Sequence, residues 1–424
     1  MKKIFATYGA VAALLFAAPA AAQDLSIWGI PAFNEAGDAY MAELAEKFGE
    51  ENGLDVEYSV VPANVLNERL AAAFEGNAPP DLFMQVGQQA PYYIARDLVV
   101  PLPEILEQMR AVEGGIYEST VNQGMVDGVA YAIPLEVDLT PMYARKDLLA
   151  DVGMELPKTW EELRSAAQAI VAKNPAIAGF GMPVSTSNDA ESIMRMVVWS
   201  FGGAMFDEQG NVTWDSPETR AAYQFVADMF EEGTIPRSAL TWDDGGNNTA
   251  YQTGRTAFTM NPPSIYQWMV ENDEELLNNT ELAVVPKGPG DEGRQGASIA
   301  AFVWMVSEGS DNQDAAKKFL TYFFEPDNYQ PLIEAVGGRW VPIYPHLTQT
   351  MPLFTETPAF ANFDEMATNG LIDGYKAPPS ALSAEVFNNK VVMESVQKVL
   401  VDGESVEDAV AWAQSQIEAL KAEQ

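Results

Sequence analysis

The side chains that could do chemistry in this chain are amides, carboxylates and flat rings set in polar loops. Gln85, Gln88 and Gln89 surround Gly87 and offer donors and acceptors without charge. Glu136 and Asp138 stand two residues apart, and Trp242-Asp243 precedes the turn Gly245-Gly246. Arg339-Trp340 places a fork of donors beside a ring. Groups of these kinds hold and orient a molecule. The chain has no cysteine, which excludes a disulfide scaffold, a thiolate zinc site and a cysteine nucleophile. Its one histidine, His346, has no cysteine with which to share zinc. A Ser-His-Asp triad would have to use His346 from a Pro-rich loop, and no G-x-S-x-G elbow exists. Walker A and Rossmann glycine motifs are absent too. Asp243-Asp-Gly-Gly-Asn-Asn248 lacks the alternate-residue spacing and final glutamate of a calcium loop and reads as a solvated turn. No cofactor and no metal are expected.

The elements that must position these residues begin with an alternation of strand and helix. Leu25–Trp28 reads as a strand, and residues 36–52 carry Ala39, Tyr40, Leu44, Ala45 and Phe48 on one helical face, stopped by Asn52-Gly53. Val56–Val61 is the next strand, Asn64 caps a helix bearing Leu66, Leu70, Ala73 and Phe74, and Asp81–Val86 is a third strand. A β-α-β-α-β succession predicts a mostly parallel sheet with helices on its faces, whose ligands sit beyond the carboxyl ends of the strands. The loops at 29–35 and 85–92 are therefore the ones that matter. Further on, Tyr131–Glu136 and Pro141–Tyr143 read as strands, Thr159 with Glu162 as a capping box, Val212–Trp214 as a strand, and Ser216-Pro217 as a helix start. Phe302–Val306 is a strand with Trp304 in the core, Trp199 is also core, and 391–421 is amphipathic helix broken near Asp402-Gly403.

The first 22 residues have the pattern of a cleaved secretory signal: Lys2-Lys3, an apolar run from Tyr8 to Ala18, then Ala20-Ala21-Ala22. No later stretch offers about 18 consecutive apolar residues. An exported, unanchored, cysteine-free chain fits the periplasm. About 400 residues remain, more than one core usually supports, so two lobes are expected. They carry 22 basic against 61 acidic side chains, which argues against nucleic acid and anionic membranes as partners.

Seven segments in order span nearly all of the remaining chain. They are Pro80-Asp81, Gly128-Val-Ala-Tyr-Ala-Ile-Pro134, Tyr143-Ala-Arg-Lys-Asp-Leu-Leu149 and Leu156-Pro-Lys-Thr-Trp-Glu-Glu-Leu163, then Gly254-Arg-Thr-Ala-Phe-Thr-Met260, Ala315-Ala-Lys-Lys-Phe-Leu320 and Ser405-Val-Glu-Asp-Ala-Val410. Together they resemble the extracellular solute-binding proteins of ABC importers, in the carbohydrate-type group that includes the maltose-binding protein. The resemblance implies an α/β, two-lobed periplasmic binding protein fold with three inter-lobe crossings, near Pro134–Thr140, Val284–Pro289 and Glu325–Gln330. Lobe I would comprise 23–135 and 285–327, and lobe II 136–284 and 328–424. One ligand would bind in the cleft, the lobes would close over it by a hinge, and a membrane permease would receive it. A monomer without enzymatic activity is expected.

A sugar site needs rings to cover C–H faces and fixed polar groups to pair with hydroxyls. The candidate contacts are Phe33 and Asn34 after the first strand, Gln85, Gln88 and Gln89 after the third, and Glu136 and Asp138 at the first crossing. On the second lobe they are Ser185 and Thr186, Trp242 and Asp243, Asn261, Arg339 and Trp340, and Tyr375 on a cleft lip. Glu136 could instead cap a nearby backbone group, and Trp340 could be core with Arg339 in a surface pair. Many relatives follow the Gly254–Met260 strand with Gly and a stacking aromatic. This chain has Asn261-Pro262-Pro263-Ser264, leaving Tyr266 or Trp268 for that role. The expected function is capture of a carbohydrate or polyhydroxylated solute. The alternatives are a receptor for an anionic solute, held by Arg339 and the N–H groups of Ser185–Ser187, and a secreted glycoside hydrolase using Glu136 and Asp138.

Overall fold

The computed structural model describes residues 25–32, 34–290, 293–295 and 298–423. The leader pattern at 1–22 and Phe33 lie outside the described residues. Strands Leu25–Gly29, Val56–Val60 and Leu82–Val86 pair in parallel, with Leu25–Gly29 in the middle, as the alternation predicts. The helix Glu35–Asn52 between the first two starts on Asn34, whose Oδ1 accepts the Gly37 N–H at 3.0 Å. It ends on Gly53 at φ 68°, a conformation that favours glycine. The helix Ala63–Glu75 starts one residue before Asn64, with Pro62 at the cap position and no side-chain cap bond.

The first sheet is completed from far away. Phe302–Val306 runs antiparallel to Leu82–Val86, and Ile133–Pro134 pairs with its other edge. Asp81 fastens the junction: its carboxylate accepts from Ser26 N at 2.7 Å and from Ser310 Oγ at 2.6 Å. A second sheet has the order Thr280–Ala283, Met142–Arg145, Thr256–Met260, Ala178–Phe180. Between the two lies a three-stranded sheet, in which Glu136–Leu139 is flanked by Ile299–Ala300 and Val341–Pro342, both antiparallel to it. Tyr329 braces this hinge, donating to Leu135 O at 2.8 Å and accepting from Ile343 N at 2.9 Å.

Two crossings fall later than the sequence suggests. Lys287 bridges to Thr159, and Arg294 N donates to Ser200 O, so the chain stays on the second lobe past Pro289 and leaves it through Ile299–Ala300. The helix Pro326–Ala335 packs on Glu35–Asn52, with Tyr40 Oη donating to Asn328 O at 2.8 Å. The last crossing therefore follows Ala335 and uses Val341–Pro342, not Glu325–Gln330. Val212–Trp214 is no strand: Val212 makes a single bridge to Phe206 while Trp214 sinks into the core. Local signals hold elsewhere. Thr159 and Glu162 form a capping box, Ser216 caps Pro217–Glu231, and the C-terminal helices Val391–Leu400 and Val406–Glu423 are separated at Gly403. Trp199 and Trp304 are buried as expected. Among the described residues no helix is long and apolar enough to cross a membrane.

Candidate functional site

The carboxyl ends of both sheets and the hinge converge on one polar region. At its base Arg339 Nη1 donates to Asp138 Oδ1 at 2.7 Å. Arg339 is 5% exposed, so this is a buried hinge pair and not the surface pair considered above. Asp189 faces it from the first turn of the helix Asn188–Ser200. Burial, then the neighbouring Asp244, push the Asp189 carboxyl up to about 7; a bond from Asn247 Nδ2 opposes this, Asp138 adds to it and Arg339 opposes it. Asn247 is wholly buried and also donates to Met260 O and Asn261 Oδ1. Asn261 in turn donates to Pro262 O and Ser264 Oγ. It shapes the second-lobe wall through these bonds.

Glu136 is fully buried under the hinge, where Oε1 accepts the Phe302 N–H at 2.7 Å. Burial, then Asp138, hold its carboxyl well above the usual range, against the Phe302 N–H and Arg339. Oε2 has no hydrogen-bond partner among the described residues. Glu136 thus caps backbone and, being fully buried, does not reach the cleft surface. Glu136→Gln should keep the acceptor and move stability at pH 7 by less than about 1 kcal/mol, whereas Glu136→Ala should cost about 1–3 kcal/mol by stranding the Phe302 N–H. Urea midpoints of the two variants check this.

The other candidates separate by burial. Trp340 is fully buried edge-on to Phe302, with ring centroids 6.0 Å apart, so it is core and offers no stacking face. Gln85 is buried and turned inward, bonding Asn67 Oδ1 at 2.8 Å and the Val86 N–H at 2.9 Å. Gln88 is half-buried and Thr186 exposed at the rim. Ser185 Oγ donates to Trp242 O and ties these two loops together, while Asp243 accepts the Gly245 N–H in an exposed turn. Tyr375 is half-buried, with its hydroxyl bonded to Arg294 and its ring edge-on to Trp199. Tyr266 packs on Phe360 at 4.7 Å and Trp268 is half-buried.

Gln89 has the most consequential partner. Its Nε2 donates to Asn388 Oδ1 at 2.7 Å and its Oε1 accepts from Asn388 Nδ2 at 3.2 Å. This reciprocal amide pair joins the first lobe to the helix Ala381–Asn388, which packs with Val391–Leu400 and Val406–Glu423. Arg96 and Glu385, 3.6 Å apart, add a second link from the same helix. Behind Gln89 the helices Ala63–Glu75 and Ala90–Ile94 enclose a cavity of about 560 Å³ that reaches Asn388. Gln123 is buried beside Gly87, so close that a Cβ on Gly87 would collide with it. Sequence reading missed Asp189, Asn247, Gln123, Asn388 and the cavity. Asp189 looks like an ordinary first-turn acid, and Asn388 closes the helix Ala381–Asn388 with nothing in the sequence to mark its partner.

Residues 32–330 match the family described as bacterial extracellular solute-binding protein. The chain belongs to this family. It is 27% identical over 334 residues to the diacetylchitobiose binding protein of Streptomyces coelicolor, covering 75% of this chain and 73% of that one. Two solved structures share the fold. An ABC transporter solute binding protein from Thermotoga lettingae, bound with alpha-D-tagatose, superposes with a TM-score of 0.80 at 19% identity over 93% of this chain and 99% of its own. A sugar transporter protein from Arthrobacter chlorophenolicus, with bound laminaribiose, gives 0.79 at 19% identity over 93% and 98%.

Proposed function

We propose that this member of the bacterial extracellular solute-binding protein family captures a carbohydrate or related polyhydroxylated solute in the cleft between its lobes and delivers it to the permease of an ABC importer. It works in the periplasm after loss of 1–22 and performs no chemistry on its cargo. The first lobe is built on 34–135 with 302–335 and the second on 142–290 with 371–423, hinged on the three short strands between them, while Ile343, Thr348, Asp364 and Ala367 bond Tyr117 and Ser119 of the first lobe. Gln88, Asp138, Asp189, Trp242 and Tyr375 are the ligand contacts, with Gln89 and Asn388 closing the lip. The observation that carries this reading is the Gln89–Asn388 pair, which, beside the Arg96–Glu385 pair, brings neutral amides of the two lobes together, groups equally able to bond a hydroxyl.

The rival readings find less support. Of the N–H groups at Ser185–Ser187, that of Ser187 already donates to Ser185 Oγ. Arg339 donates to Asp138. A hydrolase would need Glu136 and Asp138 flanking a bond, yet one is sealed under the hinge and the other holds Arg339. Ligand that binds only the folded form raises the melting temperature. A screen of sugars, polyols and glycosides against amino acids, peptides and glycerophosphodiesters should give shifts only in the first set. Shifts confined to the second set would overturn the reading.

A further inference from the structure

Two peptide bonds in the chain join asparagine to glycine, Asn52-Gly53 and Asn369-Gly370. Each asparagine ends a helix, Glu35–Asn52 or Phe363–Asn369. Each side chain also donates back one turn, Asn52 Nδ2 to Phe48 O at 2.8 Å and Asn369 Nδ2 to Glu365 O at 3.1 Å. The glycines are what differ. Gly53 is left-handed at φ 68°, and its N–H is held by Gly49 O. Gly370 is extended, at φ −67° and ψ 157°, and its N–H has no hydrogen-bond partner among the described residues. Asn369 is exposed, whereas Asn52 is half-buried.

A glycine nitrogen, with no side chain beside it, is the backbone nucleophile that an asparagine amide meets most easily. We propose that Asn369 is a self-modification site, at which the folded protein converts to aspartate and isoaspartate beside its own hinge. The Gly370 nitrogen gives its proton to hydroxide and attacks Asn369 Cγ, closing a five-membered imide. The Cγ–Nδ2 bond breaks, and the nitrogen leaves as ammonia with a proton from water. Water then opens the ring. Opening at Cγ leaves an ordinary aspartate; opening at the main-chain carbonyl leaves isoaspartate, whose backbone is one methylene longer. At Gly53 the same attack must first free the N–H from Gly49 O and unwind the cap, a local opening with its own cost. Position makes the change at 369 matter. A Cβ on Gly370 would collide with the Ile299 side chain, and Leu371 O accepts the Ile299 N–H at 3.0 Å. Ile299–Ala300 is the hinge strand paired with Glu136–Leu139. A lengthened backbone has no room there and pushes Leu371 out of register with that strand. The new carboxylate, at the carbonyl end of a helix, adds a smaller penalty.

Peptide mapping by mass spectrometry tests this on the intact protein aged at pH 8. The peptide carrying Asn369 should gain one mass unit at least about ten-fold faster than the peptide carrying Asn52, a ratio equal to about 1.4 kcal/mol of barrier. In urea, where neither glycine is held, the two rates should converge. Equal rates in the folded protein, or a faster Asn52, overturn the proposal. Asn369→Gln, whose attack would need a six-membered ring, should stop the change at 369 and leave that at Asn52 untouched. The aged parent should develop a second, lower melting transition. Aged Asn369→Gln should lack it, and fresh Asn369→Asp, which carries the charge without the extra methylene, should not reproduce it. An aged parent that is modified at 369 yet melts like the fresh protein overturns the effect on the hinge.

Discussion

Replacing Arg195 by methionine is expected to lower the unfolding free energy by about 3–5 kcal/mol, the cost of leaving buried carboxylates without their counter-charge. Arg195 is 1% exposed and holds two acids at once: Nη2 meets Glu191 Oε1 at 2.8 Å and Nη1 meets Asp373 Oδ1 at 2.7 Å. Glu191 is fully buried and also accepts the Met393 N–H at 2.9 Å. Burial pushes the Glu191 carboxyl up, and Arg195 is the first group that opposes it. The cluster ties the helix Asn188–Ser200 to segments nearly two hundred residues away, so its loss loosens the helix that carries Asp189. Neutralising the acids as well, in Glu191→Gln/Arg195→Met/Asp373→Asn, should recover much of the loss, because the penalty comes from stranded charge. Urea midpoints measure both. A single variant as stable as the parent would show that the cluster is dispensable.

Asp189→Asn is expected to do the opposite to stability while harming binding. The folded protein holds the Asp189 proton up to about pH 7, whereas an unfolded chain releases it near pH 4. A raised carboxyl favours the folded state at low pH, so stability drains away as pH rises through this window and the penalty is complete above about 7. Holding the carboxyl that high withholds about 4 kcal/mol at alkaline pH. The side chain is half-buried, not sealed, so water brings the expected gain of the variant nearer to about 2 kcal/mol at pH 8, and to none below pH 4. Unfolding curves at pH 4 and pH 8 resolve this. A gain equal at both would place its origin outside this titration. If Asp189 also accepts a solute hydroxyl as proposed, the sugar identified by the thermal screen should bind the variant more weakly.

What the sequence disclosed and what it hid divide by distance along the chain. The first three strands and the caps at Asn34, Thr159 and Ser216 are written in spacings of a few residues, and the structure carries them. Family segments supplied the two-lobed plan, yet the crossings came out early, because nothing local says that Pro326–Ala335 rests on Glu35–Asn52. Site residues fared by the same rule. Glu136 and Trp340 have the right chemistry for a cleft, but each is sealed by partners such as Phe302 that only the fold brings near. Gln89 sits at the lip because of Asn388, 299 positions later. Asp189 is set apart from other first-turn acids by burial, then by Asp244 and Asp138, none of which a local window discloses.

The late arrival of Phe302–Val306 in the first sheet bears on how the protein is made. Leu82–Val86 has apolar residues at four of five positions, and its antiparallel partner is encoded over two hundred residues downstream. During synthesis the N-terminal lobe emerges with that edge unpaired, and the second lobe is translated before the missing strand appears. Contacts of such long sequence separation form slowly, and an exposed apolar edge is prone to pair with other chains. The first lobe is thus a late folder by construction. Its partner strand reaches it only when about three-quarters of the polypeptide has been made.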